Sequence, residues 1–359
     1  MRIYLDHAAT TPVRPEARAA VAEGLARWAN PSSPHSEGRA ARAALEDARA
    51  RIGRALGWEG EVILTSGASE SAQIALARAR GGARLVSAVE HEAVLRVLPD
   101  AEILPVLPDG ALDREVLAEA VDGRERPVVA VQAINSETGA RQDIAAIAAC
   151  VHAAGGLLVV DAAQSAGKWP VPPEADLAIV SAHKLGGPPG IGALLVKDFA
   201  LLEASGGQER GYRRGTENLP GALGFAAALE ACVQPWCSAD ALAPLAERLA
   251  PAMAELGGVR LADRLADPTP YIEALAMPLL SGSAQLMRFD MAGFAVSQGS
   301  ACSSGSLKQS HVLEAMGLDA TLASRVIRVS FGWNTTREEV DAFCTAWIGM
   351  AEDARARAA

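Results

Sequence analysis

Two residues of this chain stand where a carboxylate and an amine could act on one small molecule. Gly156-Leu-Leu-Val-Val160 reads as a buried strand, and Asp161 follows at its carboxyl end. Ala175-Asp-Leu-Ala-Ile-Val180 reads as the next strand and runs into Ser181-Ala-His183-Lys184. Neighbouring strand ends would bring Asp161 and Lys184 to one edge of a sheet, where ligands of open α/β sheets bind. A lysine amine can hold an aldehyde as a Schiff base. A carboxylate can keep a pyridine nitrogen protonated, so that the ring accepts electrons. Together the two residues suit pyridoxal phosphate as well as two plain strand ends; either one alone is more often just a strand end.

Three further places carry chemistry. Thr65-Ser-Gly-Ala-Ser-Glu70 is a turn of small residues between a strand and a helix. The backbone N–H groups of Ala68 and Ser69, with the Ser69 hydroxyl, make an anion site at the positive end of that helix. Ser69 could equally be an N-cap, or serve as both. Arg328 alternates with apolar neighbours in Val326-Ile-Arg-Val-Ser330, and a charge in a buried strand needs a partner. Cys302 lies in Gln298-Gly-Ser-Ala-Cys-Ser-Ser-Gly-Ser306, a run of small polar residues without apolar periodicity. That run reads as a mobile surface loop, where a thiol can ionise and attack sulfur. Cys150, Cys232, Cys237 and Cys344 lie in helical or apolar surroundings and read as reduced, mostly buried thiols.

The elements that would position these residues follow from apolar patterning. Strands are expected at Glu61–Leu64, Arg84–Ala88, Pro127–Ala133, Gly156–Val160, Ala175–Val180 and Ile191–Val196. Helices are expected at 15–30, 40–57, Ser69–Arg80 and Gln142–Ala154. Wholly apolar strands separated by helices imply a mainly parallel sheet covered on both faces. After about Pro235 the pattern changes to one long helix, Ala239–Leu256, then short strands near Tyr271–Met277, Phe294–Ser297 and Val326–Ser330. A last helix begins at Thr336, where Thr336 and Glu339 form a capping box. The fold class is therefore α/β. A large domain over residues 14–235 is expected beside a small α+β domain made of residues 1–13 with 236–359.

The chain has 359 residues and a formal net charge of -10, which argues against non-specific nucleic-acid binding. Its N-terminus lacks a basic region followed by an apolar run, and no apolar stretch approaches the length that spans a bilayer. A cytoplasmic protein is expected, without nucleic-acid or membrane partners. The five scattered cysteines fit neither a disulfide framework nor a metal site.

The motifs together resemble the cysteine desulfurases of the nitrogen-fixation and iron–sulfur-cluster type, within the class-V, fold-type-I pyridoxal-phosphate enzymes. The resemblance rests on Asp161-Ala-Ala-Gln164-Ser and Ser181-Ala-His183-Lys184, and on Tyr4-Leu-Asp-His-Ala-Ala-Thr-Thr-Pro12 and Asn30-Pro-Ser-Ser-Pro-His-Ser-Glu-Gly38. It extends to Thr65-Ser-Gly-Ala-Ser-Glu-Ser71, Glu90-His91, Asn135-Ser-Glu-Thr-Gly139, Arg214-Gly-Thr-Glu-Asn218 and Ser300-Ala-Cys302-Ser-Ser-Gly305. What it implies is specific. Lys184 would carry the cofactor, and His91 would lie on the cofactor ring and move protons. Gln164 and Asn135 would hydrogen-bond the phenolic oxygen, with Asn135 also near substrate. Ala68, Ser69, Ser181 and His183 would bind the phosphate, joined by Thr216 from a second subunit, so that the active unit would be a homodimer. The resemblance gives Arg328 the α-carboxylate of L-cysteine as its partner; the alternative is an internal salt bridge. Cys302 would take the sulfur as a persulfide, leaving L-alanine, and pass it to a scaffold or relay protein for iron–sulfur cluster assembly or another acceptor.

Selenocysteine lyases and class-V aminotransferases share this machinery, although a transaminase needs no loop cysteine. A catalytically idle sulfur-relay scaffold is a further alternative, opposed by the complete set Lys184, Asp161, His91, Arg328 and Cys302. Gly206-Gly-Gln-Glu-Arg-Gly-Tyr-Arg-Arg-Gly-Thr216 is closer to the nitrogen-fixation branch. The chain is shorter than typical members and ends soon after its last helix. Housekeeping members use a C-terminal extension to help dock the cluster scaffold.

Overall fold

The fold is that of a computed structural model, which describes residues 2–299 and 310–358. The chain opens on a short strand, β1 (Ile3–Tyr4). Seven strands then build one sheet: β2 (Glu61–Thr65), β3 (Arg84–Ser87), β4 (Glu102–Leu104), β5 (Val128–Gln132), β6 (Leu157–Asp161), β7 (Leu177–Ser181) and β8 (Gly192–Val196). Their order is β2-β8-β7-β6-β5-β3-β4. Only β8 runs against its two neighbours, so the carboxyl ends of β2, β3, β5, β6 and β7 share one edge.

The unbroken apolar character of these strands has a direct cause. Val129, Val131, Leu158, Val160, Ala178 and Val180 enter one core, while Val128, Ala130, Leu157, Val159, Leu177 and Ile179 enter another. Successive side chains point to opposite faces, and both faces are covered, so every position must be apolar. Each fully buried Leu or Ile contributes about 1.5–3 kcal/mol. The sheet edge is thereby a rigid mount for whatever follows each strand.

Helix α1 (Pro15–Ala26) and helix α2 (Ser36–Ala55) flank the sheet, and α3 (Ala68–Arg78) follows β2. The expected helix 239–256 is present but not uniform. After Ala239–Pro244 it passes through a π-type turn, Leu245–Leu249, before Ala250–Leu256. Pro244 lacks the N–H that a regular ladder would use, which accounts for the change of pitch. A second sheet pairs β9 (Val259–Arg260), β10 (Ile272–Ala276) and β12 (Val326–Ser330) in the order β12-β10-β9. Strand β1 pairs in parallel with β11 (Phe294–Ala295), and Asp6 bridges to Ser330. The last helix, Arg337–Ala358, opens on the expected capping box: Thr336 N–H donates to Glu339 Oε2 at 3.0 Å, and Glu339 N–H to Thr336 Oγ1 at 3.3 Å.

The segment that leads to Thr216 is pinned to β2 by a buried ion pair. Arg49 reaches the Glu209 carboxylate at 2.5 and 3.1 Å, and Glu209 Oε2 also accepts the Leu64 N–H at 2.9 Å. Both side chains are almost wholly enclosed. Removing one member strands the other charge, at a cost of about 3–5 kcal/mol. Glu209→Ala is therefore expected to lower the urea midpoint of unfolding strongly with an unchanged slope. A midpoint equal to that of the parent protein would refute the role given to this pair.

Candidate active site

A cavity of about 480 Å³ opens at the carboxyl edge of the seven-stranded sheet. Five strand ends feed it. The β7 end turns through Ser181 into a short 3-10 turn, Ala182–Lys184, which places Lys184 on the wall. Lys184 Nζ donates to the carbonyls of Ala8 at 2.6 Å and Ala9 at 2.9 Å. The N-terminal segment thus seats the amine, and it is itself tied to the turn. Thr11 N–H donates to the His183 carbonyl at 2.9 Å and Arg14 N–H to the Gly186 carbonyl at 2.8 Å.

Asp161 ends β6 on the same cavity, its Oδ1 accepting the Ala163 N–H at 2.9 Å. Burial raises its pKa, opposed by that hydrogen bond, His91 and Lys184. A cationic ring nitrogen would supply the counter-charge that the buried carboxylate favours. The β3 end continues into Glu90-His91. His91 caps the short helix α4 (Glu92–Leu95), its Nδ1 accepting the Ala93 N–H at 3.1 Å, and it lines the cavity. An accepting Nδ1 leaves the proton of the neutral ring on Nε2. Burial lowers the His91 pKa; Asp161 opposes the shift and Lys184 adds to it.

The turn between β2 and α3 brings Ser66, Gly67, Ala68 and Ser69 to the wall. Gly67 has φ +149°, a backbone setting that favours glycine. Strand β8 approaches so closely that a Cβ on Gly192 would lie 2.8 Å from the Gly67 Cα. The α3 N-terminus is thereby aimed at the cavity, and Glu70, which also lines it, braces the turn. Glu70 accepts the Ser66 N–H at 2.5 Å and pairs with Arg213 at 3.0 Å. Ser181 and His183 line the same cavity, and His183 Nδ1 lies 3.2 Å from Thr10 Oγ1.

Gln164 also lines the cavity, its Nε2 donating to the Ala8 carbonyl at 2.8 Å. Asn135, expected to touch both cofactor and substrate, is buried and engages its own surroundings. Its Nδ2 donates to the Val89 carbonyl at 3.2 Å, and its Oδ1 accepts Glu137 N–H and Thr138 N–H at 2.9 Å each and Thr138 Oγ1 at 3.1 Å. Asn135 is not among the lining residues, whereas its neighbour Ser136 is. Buried amides are usually hydrogen-bonded, and here Val89, Glu137 and Thr138 supply partners. Thr216 is exposed and stands outside the cavity lining of its own chain.

Arg328 reaches the cavity from β12 and is only 3% exposed. The internal salt bridge weighed for it exists: Nη2 contacts Asp6 Oδ1 at 2.8 Å, while Nη1 donates to the Ser136 carbonyl at 2.9 Å. Its Nε has no hydrogen-bond partner among the described residues. Asp6 and Ser136 fix the fork from behind and leave donor capacity for an incoming carboxylate. Cys302 lies outside the described residues. The stretches on either side of it converge on one residue: a Cβ on Gly299 would sit 3.7 Å from Glu137 Oε2, and Ser310 Oγ donates to that oxygen at 2.6 Å. Burial raises the pKa of each of Cys150, Cys232, Cys237 and Cys344, so none of these thiols is activated.

Sequence reasoning passed over Asp6, the Ala8 and Ala9 carbonyls, Thr10 and Glu90. Glu90 is fully buried, accepts the Gln132 N–H at 2.7 Å, and has its pKa pushed well up by burial and then by Asp161. The string Asp6-His-Ala-Ala-Thr10 was visible as a motif, but nothing in it shows that its backbone would seat Lys184.

The buried histidines add a pH dependence. Burial and then Lys168 push the His7 pKa from 6.5 to about 3; burial, Lys184 and Lys168 push that of His183 from 6.5 to about 4. The unfolded chain therefore binds more protons below about pH 6.5, and stability falls as pH drops toward 4. Thermal melts of the cofactor-free protein should show this fall, and His7→Gln should flatten it. A variant with the parent slope would contradict the assignment.

Donors at the α3 end, a buried carboxylate, an amine and a guanidinium thus converge on a cavity of small-molecule size. The Aminotransferase class-V family matches residues 3–343, and the chain belongs to that family, whose enzymes depend on pyridoxal phosphate. More narrowly, it is a member of the cysteine desulfurases within it. It is 37% identical to a cysteine desulfurase of Cereibacter sphaeroides, over 95% of this chain and 93% of that one. It is 38% identical to the cysteine desulfurase IscS of Anaeromyxobacter sp. (strain Fw109-5), over 94% and 90%. A NifS-like protein of known structure superposes with TM-score 0.87 at 30% identity, covering 98% of this chain and 100% of the other. The structure of SspA in complex with cysteine gives TM-score 0.78 at 29% identity, covering 92% and 99%.

Proposed function

We propose that this protein is a pyridoxal-phosphate-dependent cysteine desulfurase in which Lys184 binds the cofactor and Cys302 receives the sulfur. The observation that carries the reading is the convergence of Lys184, Asp161, the α3 N-terminus and Arg328 on one cavity. Pyridoxal phosphate, when bound, supplies an electron sink for the pair released at the substrate Cα. Asp161 would hold a proton on the ring nitrogen. The Ala68 and Ser69 N–H groups, with the Ser69 and Ser181 hydroxyls and His183, bind the phosphate. Gln164 would donate to the phenolic oxygen, and His91 would contact the cofactor and move a proton at its Nε2. Asn135 acts one step removed, by shaping the turn that offers the Ser136 carbonyl to Arg328.

Arg328 binds the α-carboxylate of L-cysteine and so orients its Cα–H bond. Lys184 Nζ takes that proton and returns one. The Cys302 thiolate then attacks the substrate sulfur. The Cβ–S bond breaks with its electron pair left on the carbon side, Cβ takes up a proton matching the one lost from the thiols, and an S–S bond forms, leaving L-alanine and the Cys302 persulfide. Acceptor proteins, for iron–sulfur cluster assembly or another use, take the sulfur onward.

Thr216, exposed on its own chain, reaches the phosphate of a second copy, which makes the working unit a homodimer. We divide the chain into a large domain, residues 14–235, and a small one, residues 1–13 with 236–359. The parallel pairing of β1 with β11 supports that division. No helix among the described residues is long and apolar enough to cross a membrane. We place the protein in the cytoplasm, where its thiols stay reduced.

Borohydride reduction of the protein mixed with pyridoxal phosphate, followed by peptide mapping, tests the site. The label is expected on the peptide that contains Lys184. A label on Lys168 or on scattered surface lysines would overturn the assignment.

A further inference from the structure

Lys168 is a lysine in an unusual setting. It is 2% exposed and lies over the rings of Trp236 at 5.1 Å and Tyr271 at 5.2 Å. The titratable groups acting on it are Lys184, Cys237 and Cys232, and it acts in turn on His7 and His183. No carboxylate is among them. Both thiols have their pKa raised by burial, and both histidines have theirs lowered by it, so none of the four supplies a charge near pH 7. Arg14, stacked on Trp236 at 5.5 Å, adds a second cation. Burial and then Lys184 bring the Lys168 pKa from 10.5 to about 7. An unpaired buried ammonium costs stability, so packing alone gives no reason for a lysine here.

What Lys168 touches gives one. Its Nζ donates to Gln164 Oε1 at 3.3 Å. In its protonated form Lys168 can only donate, which favours the Gln164 amide with its oxygen toward Lys168 and its NH2 group away. That NH2 group donates to the Ala8 carbonyl at 2.8 Å, the same carbonyl that accepts from Lys184 Nζ at 2.6 Å. Gln164 itself lines the cavity. Tyr271 Oη holds the Gln164 backbone carbonyl at 3.0 Å, so both ends of this residue are clamped. A flipped amide would set NH2 against ammonium and carbonyl against carbonyl.

We propose that Lys168 is a positioning residue of the active site: it locks the Gln164 amide with its N–H groups toward the cavity, and its charge, one hydrogen-bonded link from the Ala8 carbonyl, disfavours a second positive charge on Lys184. The inference rests on the reading of this cavity as the pyridoxal-phosphate site. Lys168 does not touch the reacting atoms; it acts through Gln164 and through the field at Lys184.

The test uses the full-length protein loaded with pyridoxal phosphate. Two quantities are read: the cofactor dissociation constant by equilibrium dialysis, and the pH midpoint of its visible absorbance. Lys168→Met should weaken cofactor binding about tenfold and raise the midpoint by roughly half to one unit. Lys168→Gln retains a donor for Gln164 but no charge, so it should bind cofactor nearly as the parent does and still raise the midpoint. In a Gln164→Leu background, Lys168→Met should weaken cofactor binding no further. Should Lys168→Met fail to fold, the midpoint of Lys168→Gln decides. Parent-like midpoints in the Lys168 variants would overturn the inference, as would an undiminished affinity loss in the Gln164→Leu background. Failure of the parent protein to take up the cofactor would instead overturn the reading of the cavity.

Discussion

Lys184→Ala is expected to abolish alanine formation from L-cysteine while leaving the fold intact. Among the described residues Lys184 is the one amine that lines the cavity, and its Nζ donates to the carbonyls of Ala8 and Ala9. Removing it deletes both the covalent anchor for the cofactor and the base that moves the Cα proton. Positioned proton transfer alone is worth about 10²–10⁴-fold, and losing the anchor adds to that. Circular dichroism and the thermal midpoint should stay close to those of the parent, since the Ala8 and Ala9 carbonyls can be rehydrated from the cavity. The visible absorbance of the loaded protein should disappear or move. A variant that retained this absorbance and its turnover would show that another lysine serves.

Cys302→Ala should separate the two halves of the reaction. The variant retains Lys184, Asp161, His91 and Arg328, so it should bind cofactor with the parent's colour and still bind cysteine. It should form no persulfide, and its release of alanine and of sulfide under a thiol reductant should both fall to background. The four cysteines within the described residues are poor substitutes, because burial raises the pKa of each thiol. Sulfide release at the parent rate would remove Cys302 from the mechanism.

Much of the frame was legible because strand burial on two faces leaves a plain pattern. Leu177, Ala178, Ile179 and Val180 are apolar in unbroken sequence because alternate residues enter different cores. Asp161 and Lys184 could be placed on one sheet edge for the same reason. The short edge strand Glu102–Leu104 went unread, since two of its three residues are exposed and no pattern marks them. Nor was the interior of the site readable where backbone does the work. The carbonyls of Ala8, Ala9 and Ser136 carry no side-chain signature, yet they seat Lys184 and Arg328. Asn135 shows the converse. Its side chain could have met a ligand, but folding surrounds it with backbone groups from Val89, Glu137 and Thr138. Arg328 needed both alternatives weighed for it. Asp6 and the Ser136 carbonyl satisfy part of the fork, and Nε has no partner among the described residues.

The most direct test of the central claim is mass spectrometry of the intact protein, loaded with pyridoxal phosphate and given L-cysteine without reductant, while alanine is measured in the same sample. The account predicts the gain of one sulfur atom, mapped to the peptide containing Cys302, with one alanine formed for each sulfur bound. Alanine without sulfur on that peptide, or pyruvate in place of alanine, would contradict it.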